Sequence, residues 1–469
     1  MDAQELERVL DPYNPWWRGD AEPEDLPDYR RPIVGEVLKD IHDISQIISV
    51  TGPRRVGKST AMKQVIYHLL EHQGLSPSQI LYFSLDDPDV QASTEAQRVI
   101  FDLLVERAHG ETQTSYFFLD EIQRLPQWEL YLKKYYDLKV PIRFVVSGSA
   151  STPIFRKSQE SLLGRIQDRH LLPFSFREYC EYTLRQKPEF AQIVGEHTTL
   201  RQLLLNGDGS GALACVTRLE RALEPFRTDL DEAVTDYCRE GGFPEVWNLT
   251  DKARKIEYLM EQQVRKVLYE DLMMATKYRR PENVLRFFVY LLGNPGVEIN
   301  MAKVARESGV ERRVVEENLP RLEKTDLILR IAKFTHKPLR VRQGNIKCYP
   351  VDPALRNAVM KTWDAPDDTL MGYYAENLVI RELSTWPEAI ENTFFRKNNR
   401  EVDFVCTCGG NRYLPIEVKY RRDADHTANL RFFMKKYDLS LSVLITRDLA
   451  PAFDERILKL PLRYFLLVV

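Results

Sequence analysis

Eight residues, Gly52-Pro-Arg-Arg-Val-Gly57-Lys58-Ser59, carry the pattern G-x-x-x-x-G-K-[ST], and each residue type has a physical reason to be there. Glycines let backbone N–H groups close round phosphate oxygens at the positive end of a helix. Lys58 would then reach the β/γ-phosphates, and the Ser59 hydroxyl would ligate Mg²⁺. Gly52, Arg55, Gly57 and Thr60 complete the expected nucleotide-binding set. This chemistry needs a strand before the loop and a helix after it. Gln46 to Thr51 is rich in β-branched residues and short enough for a buried strand, while Met62, Val65, Ile66, Leu69 and Leu70 recur at helical spacing. The chain is therefore expected to bind ATP with Mg²⁺.

A second group lies downstream. Tyr116-Phe-Phe-Leu-Asp120-Glu121 is four apolar residues followed by two carboxylates, as when a buried parallel strand delivers acids to the sheet edge where ligands sit. Asp120 would hold the Mg²⁺ shell and Glu121 would polarise the attacking water. Two further strands are expected, Ile80 to Leu85 and Arg143 to Val146. The second ends in Ser147-Gly-Ser149, which reads equally as a turn or as a γ-phosphate reporter, with Ser147 preferred and Ser149 in reserve. Pro153 to Gly164 has the pattern of a helix, Arg165 follows it, and a strand is expected over His170 to Pro173. An arginine so placed can serve a neighbouring subunit as an arginine finger or be a solvated surface charge.

A third constellation lies near the C-terminus. Asp403 belongs to the second strand of a hairpin beginning at Phe394, and in Leu414-Pro-Ile-Glu417-Val-Lys419 the alternation of a strand puts Glu417 and Lys419 on one face. Two carboxylates could hold Mg²⁺ or Mn²⁺ and the lysine could orient water; Glu376, on the helix Met371 to Leu383, could be a further ligand. This D…E-x-K arrangement resembles the PD-(D/E)XK nuclease superfamily. A fold of that kind kept for binding without cleavage reads as well from these residues.

The elements between are helical. Arg177 to about Arg254 suits a helical lid interrupted by a loop at Asn206 to Gly211, and Lys252 to Tyr278 has the spacing of a long amphipathic helix. Helices over Val284 to Leu292, Met301 to Ser308 and Glu311 to Glu323, then a strand at Leu327 to Ile331, read as a winged helix. Its third helix mixes charges, whereas the following hairpin carries Arg330, Lys333, Lys337, Arg340, Arg342 and Lys347, which would suit phosphate contacts. Protein packing is the competing use of such a domain. The N-terminal Asp11-Pro-Tyr-Asn-Pro-Trp-Trp-Arg18 is expected to be extended, clamping a neighbour or packing on its own core.

At 469 residues the chain is too long for one core and should hold about three domains. Its 43% hydrophobic and 29% charged residues describe an ordinary soluble protein, and no segment reaches the roughly 18 consecutive apolar residues of a membrane helix. An acidic N-terminus without signal-peptide features makes a cytoplasmic location and no membrane partner the expectation. Six scattered cysteines without C-x-x-C pairs argue for reduced thiols. A net charge of −3 gives no global sign of a polyanionic partner, so one must be sought in local patches.

In this order, the phosphate loop, Phe118-Leu-Asp-Glu-Ile-Gln123, Ser147-Gly-Ser-Ala150, Leu163-Gly-Arg165, Leu172-Pro-Phe-Ser-Phe-Arg-Glu178 and Gly241-Gly-Phe-Pro-Glu245 resemble the prokaryotic AAA-type (AAA_14-like) ATPases with a DUF4143 C-terminal region. The resemblance runs from about Arg31 to the C-terminus. It implies an AAA+-like nucleotide site at a subunit interface, prefers Arg165 as the finger, and makes Gly242-Phe-Pro244 a lid turn approaching the nucleotide, as in the related STAND NTPases.

The expected fold class is α/β: a P-loop ASCE/AAA+-like core with a helical lid, a winged-helix domain and a restriction-endonuclease-like α/β C-terminal domain. The expected segments are 1–33 as an N-terminal extension, 34–180 as the core, 181–255 as the lid, 256–352 as the winged helix and 353–469 as the nuclease-like domain. The expected activity is Mg²⁺-dependent ATP hydrolysis that moves or remodels duplex or branched DNA, in a homo-oligomer for which a hexamer is favoured. The alternatives are a STAND-like ATP-controlled switch with a protein target, and an ATP-gated DNA nuclease.

Overall fold

The computed structural model describes residues 3–19, 26–92, 94–109, 114–149, 162–196, 199–272, 280–335, 345–364, 366–397, 400–409, 412–420 and 427–468. The chain divides into two compact units, Met1–Leu172 with Asp271–Lys277, and Pro173–Glu270 with Tyr278–Val469. The division falls after Leu172. Among the described residues no helix is long and apolar enough to cross a membrane, and all six cysteines are free and buried.

The first unit is built on five parallel strands in the order β2-β3-β4-β1-β5: β1 Ile47–Gly52, β2 Ile80–Ser84, β3 Ser115–Asp120, β4 Ile142–Ser149 and β5 Ile166–His170. Strands rich in β-branched and aromatic residues are buried on both faces by helices, as parallel sheets require. Phe83, Phe101, Leu119 and Trp128 are 1% exposed or less, each worth about 1.5–3 kcal/mol of burial.

Three expectations for this unit are corrected. Ser147-Gly-Ser149 is not a turn but the end of β4, because Val50–Gly52 of β1 continues to pair with it. The last strand covers Ile166–His170, not His170 to Pro173. It is a polar edge strand anchored by Ser49 and Thr51 hydroxyls on the Asp168 carboxylate, so hydrophobic patterning did not reveal it. The N-terminal segment is helical, with Ala3–Leu10 as an α-helix and Asp11–Tyr13 and Pro15–Arg18 as 3₁₀ turns. Its prolines sit at helix starts, where a fixed φ and a missing N–H cost nothing. The expected helix at Pro153 to Gly164, like Ala150, lies almost wholly outside the described residues.

The second unit begins with the helices Phe176–Thr183, Pro188–Glu196, Leu200–Leu205, Gly209–Ala222 and Arg227–Glu240. The loop expected at Asn206 to Gly211 is shorter, because Asp208 caps a helix starting at Gly209. The glycines there serve close packing: a Cβ on Gly209 would overlap Phe453 and one on Gly211 would overlap Asp208. The helix Lys252–Leu259 runs on into π-helical turns at Met260–Arg265 and Val267–Asp271.

An eight-stranded sheet follows, in the order β12-β13-β11-β10-β9-β8-β6-β7. Its strands are β6 Ile328–Lys333, β7 Ile346–Pro350, β8 Ala389–Lys397, β9 Arg400–Cys408, β10 Arg412–Lys419, β11 Ser442–Thr446, β12 Ala452–Asp454 and β13 Ile457–Pro461. The helix Asp368–Leu383 precedes an antiparallel β8-β9-β10 meander, and the helix Ala428–Tyr437 connects β10 to the parallel β11. The helices Pro281–Gly293, Met301–Ser308 and Arg312–Lys324 lead into the β6–β7 hairpin. That hairpin is not a free wing. Ala332 and Lys333 pair with Thr393 and Phe394, so one sheet crosses the boundary expected at 352.

Candidate nucleotide site and carboxylate–lysine pocket

β1 ends at Gly52, where φ is 145° and a Cβ would overlap the carbonyl oxygen of Leu171, so only glycine fits. Arg55 (φ 58°) and Gly57 (φ 95°) are left-handed, and Gly57 caps the helix Lys58–His72. Alternation of this kind turns successive N–H groups into an anion-binding nest. Lys58 is buried and folds back over the loop, donating to the carbonyls of Gly52 (3.1 Å) and Pro53 (2.7 Å). Arg31 was not foreseen in a role: it braces the loop through Val56 O (2.8 Å) and Leu172 O (3.0 Å). An arginine directly before an apolar helix start was the available signal. Ser59 and Thr60 lie in the first turn of the helix.

β3 delivers Asp120 beneath this loop. One carboxylate oxygen accepts from the Ser59 hydroxyl and, at 2.8 Å, from the Tyr82 hydroxyl; the other accepts from the Ser147 hydroxyl and from Glu121 N (3.0 Å). A carboxylate beside a serine hydroxyl at a helix N-terminus is a donor set that suits a hard divalent cation carrying a nucleotide's phosphates. Such a cation would supply charge neutralisation on the β- and γ-oxygens. Glu121 sits in a left-handed turn (φ 50°), and burial raises its carboxyl above the ordinary range against the opposing pull of Lys58. Gln123 donates to it. Ser147 therefore commits its proton to Asp120, whereas Ser149 is the residue in register with Gly52.

Arg165 lies elsewhere. Its carbonyl accepts from Ile47 N (2.8 Å), at the start of β1, and the phosphate loop is at the other end, about 17 Å along the strand. Its guanidinium grips Asp137 through two contacts, at 2.8 and 3.2 Å. It is thus at the wrong edge of the sheet to serve its own chain's nucleotide. Pro244 starts the short helix Pro244–Trp247 in the second unit. The preceding turn is held by Asp352, which accepts from Gly242 N (2.7 Å), and by Phe174 N, which donates to Gly242 O (2.8 Å). A Cβ on Gly242 would overlap Phe174 O. Burial pushes the Asp352 carboxyl up to about 6.

The C-terminal constellation surrounds a cavity of about 480 Å³ lined by Glu376, Asp403 and Lys419, and also by Lys347 and Glu401. Lys419 Nζ lies 2.9 Å from Glu417 and 3.9 Å from Asp403, and Asp403 also accepts from Val418 N (2.8 Å). Tyr349 donates to Glu376 (3.1 Å). Burial and the neighbouring Asp403 push the Glu376 carboxyl up to about 8, and burial pushes Glu417 up to about 7. Of the expected ligand set, Glu376 and Asp403 line the cavity and Glu417 pairs with Lys419. Among the described residues no three acidic, histidine or cysteine side chains are grouped to hold a metal ion, and Lys419 contacts both Glu417 and Asp403.

Lys347 is likewise not a phosphate contact but a buried ion-pair partner of Glu401 (2.6 Å). Arg330 pairs with Glu323 and Lys333 with Glu298, while Lys337, Arg340 and Arg342 lie outside the described residues.

Comparison with known proteins agrees with the geometry of the first unit. Residues 45–180 match the family model of an AAA domain. The chain carries an AAA domain. Residues 231–365 match a domain of unknown function, DUF8612, and residues 371–465 match DUF4143, also of unknown function. No curated protein matches the chain. Among solved structures, that of C. elegans PCH-2 is similar at a TM-score of 0.27 and 14% identity, over 35% of this chain and 49% of that one. The chain thus spans about half the length of that structure, and a likeness so slight carries no argument.

Proposed function

We propose that the protein is a Mg²⁺-dependent AAA-class ATPase whose turnover acts on DNA. The carrying observation is the meeting of Ser59 and Asp120 below the Gly52–Gly57 loop, with Lys58 folded over it. In this reading Ser59 and Asp120 hold the cation, Glu121 orients the attacking water, and Ser147 keeps Asp120 in place. Ser149 then replaces Ser147 as the group nearest the γ-phosphate. Arg165 acts on the nucleotide of a neighbouring subunit in a homo-oligomer, a hexamer being the favoured form, and Gly242-Phe-Pro244 forms the lid turn.

DNA is favoured by a patch in the second unit. Lys397, Arg400, Lys435 and Lys436 are exposed and have no acidic partner among the described residues. Two of them lie over an aromatic floor: Arg400 is 4.3 Å from the Phe432 ring, Lys436 is 5.3 Å from the Phe395 ring, and the two rings are 6.3 Å apart. Free cations over aromatic faces suit phosphates and unstacked bases. The order of the helix Asp368–Leu383, the β8–β10 meander, the helix Ala428–Tyr437 and β11 supports a nuclease-like fold.

The switch with a protein target has one observation of its own. On the third helix of the winged-helix array, Arg312 and Arg313 are paired with Glu316 and Glu317 and not held ready for phosphates.

ATP hydrolysis measured with Mg²⁺, alone and with single-stranded, duplex, forked and four-way-junction DNA, separates the two readings, with Lys58→Ala as the blank. Stimulation by one DNA structure, lost on charge reversal at Lys435 and Lys436, is the expected result. Turnover indifferent to every DNA would leave the switch.

A further inference from the structure

The N-terminal segment lies outside the matched AAA domain, yet it ends at the same carboxylate. β2 is an edge strand, and its outward N–H and C=O groups are taken up by side chains instead of another strand. Asn14, fully buried, makes a two-way clamp on one residue: its Nδ2 donates to Tyr82 O (2.9 Å) and its Oδ1 accepts from Tyr82 N (2.7 Å). The second Nδ2 proton goes to Leu10 O (2.7 Å), so every polar atom of the amide is used. The indole N–H groups of Trp16 and Trp17 both donate to Ile80 O, at 3.1 and 2.9 Å. Tyr13 packs edge-on against Phe83 (5.2 Å) and donates to Asp87 (2.9 Å).

The residue clamped by Asn14 is the one whose hydroxyl donates to Asp120, 2.8 Å away, on the oxygen that Ser59 also contacts. If Ser59 turns a lone pair to a cation its O–H can still point at that oxygen, and Tyr82 is the second side-chain donor fixing it, one with no part in holding the cation. A phenol can do this only if its ring is held, and the ring is carried by a backbone that Asn14 grips on both sides. The tryptophans seal the edge at Ile80 and Asn14 seals it at Tyr82. The clamp at 82 adds a path from the N-terminal segment to the acid.

We propose that Tyr82, held by Asn14, is the positioning residue for the Asp120 carboxylate, so that the N-terminal segment sets the affinity of the nucleotide site for its divalent cation. This rests on the nucleotide-site reading given above. Tyr82 touches neither phosphate nor water; it acts through Asp120.

The test uses the full chain without DNA, saturated with a non-hydrolysable ATP analogue. Mn²⁺ is titrated in and the free ion counted by electron paramagnetic resonance, while a fluorescent ATP analogue reports nucleotide affinity in EDTA. Tyr82→Phe keeps the ring and loses only the hydroxyl; it should weaken Mn²⁺ binding about tenfold, the usual cost of losing a group that orients a ligand, with nucleotide affinity in EDTA unchanged. Asn14→Ala should weaken Mn²⁺ binding in the same direction but less. Trp16→Phe, which loses the bond to Ile80 but leaves the clamp, should lower the melting temperature and leave Mn²⁺ affinity alone. Unchanged Mn²⁺ affinity in Tyr82→Phe would overturn the proposal while leaving the nucleotide site standing, and so would Trp16→Phe weakening it as much as Asn14→Ala. A wild-type chain that binds Mn²⁺ no better with the nucleotide than without would overturn both.

Discussion

The two units each bring a carboxylate and a lysine to the strands of a sheet, and they arrange the pair in opposite ways. In the first unit Asp120 is surrounded by neutral hydroxyls of Ser59, Tyr82 and Ser147, and Lys58 is held away on backbone carbonyls. In the second, Lys419 lies on Glu417 and faces Asp403. Hydroxyl donors can be exchanged for a cation at little electrostatic cost, because they never cancelled the acid's charge. A lysine has already cancelled it, and an incoming cation must displace the ammonium first. The same residue types thus leave the acid among neutral donors in one place and in an ion pair in the other.

The sharpest way to break this contrast is to neutralise each acid in turn. Asp120→Asn should lower ATP turnover by about 10²–10³-fold, in the range seen when one preorganised electrostatic group is lost, whereas Asp403→Asn should leave DNA-free turnover unchanged. Equal losses from both would mean that the two sites are not independent. Arg165→Ala should cost about 10³-fold or more while nucleotide affinity by fluorescence stays nearly intact; turnover that survives would remove the trans-finger assignment.

Lys419→Met tests the closed pair. It leaves Glu417 buried and uncompensated, so urea denaturation at pH 8 should show a loss of roughly 3–5 kcal/mol, recovered in part by Mn²⁺ if the lysine alone keeps metal out. Glu376→Gln has a smaller effect with a definite sign. The Glu376 carboxyl is raised to about 8, so the folded state holds a proton that the unfolded chain releases near the ordinary 4.5. The wild-type chain should lose stability as pH rises from about 4.5 to 8, by roughly a few kcal/mol, and lose no more above that. The glutamine variant lacks this slope, so its melting temperature relative to wild type should climb between pH 5 and 8. Parallel curves would place Glu376 in solvent.

What was legible in the sequence followed burial. β1 and β3 are almost continuously buried and the helix Lys58–His72 buries most of its apolar side chains, and their ends carry residues with narrow chemical uses, so element and site could be read together. β5 was hidden because Ile166-Gln-Asp-Arg-His170 is polar and paired through side chains from β1. Lys347 was misread because strand β7 is buried on both faces, and a lysine there needs an acid 54 positions away in sequence, Glu401, which no local pattern reveals. Tyr82 was passed over as one aromatic in a strand. Its role depends on Asn14 and Asp120 meeting it from opposite directions, and only the folded chain brings them together.

The cap on β2 has a bearing on handling as well as on chemistry. A bare edge strand is a template on which another copy can add its own strand, and most proteins protect such edges with charge, bulges or short length. Here the protection is one asparagine and two indoles from residues 14–17, on a strand that is apolar apart from Ser84 and the Tyr82 hydroxyl. A truncated chain that begins after residue 18 would keep every loop of the AAA domain and lose that cover. Its solubility, more than its fold, would be the first thing to suffer.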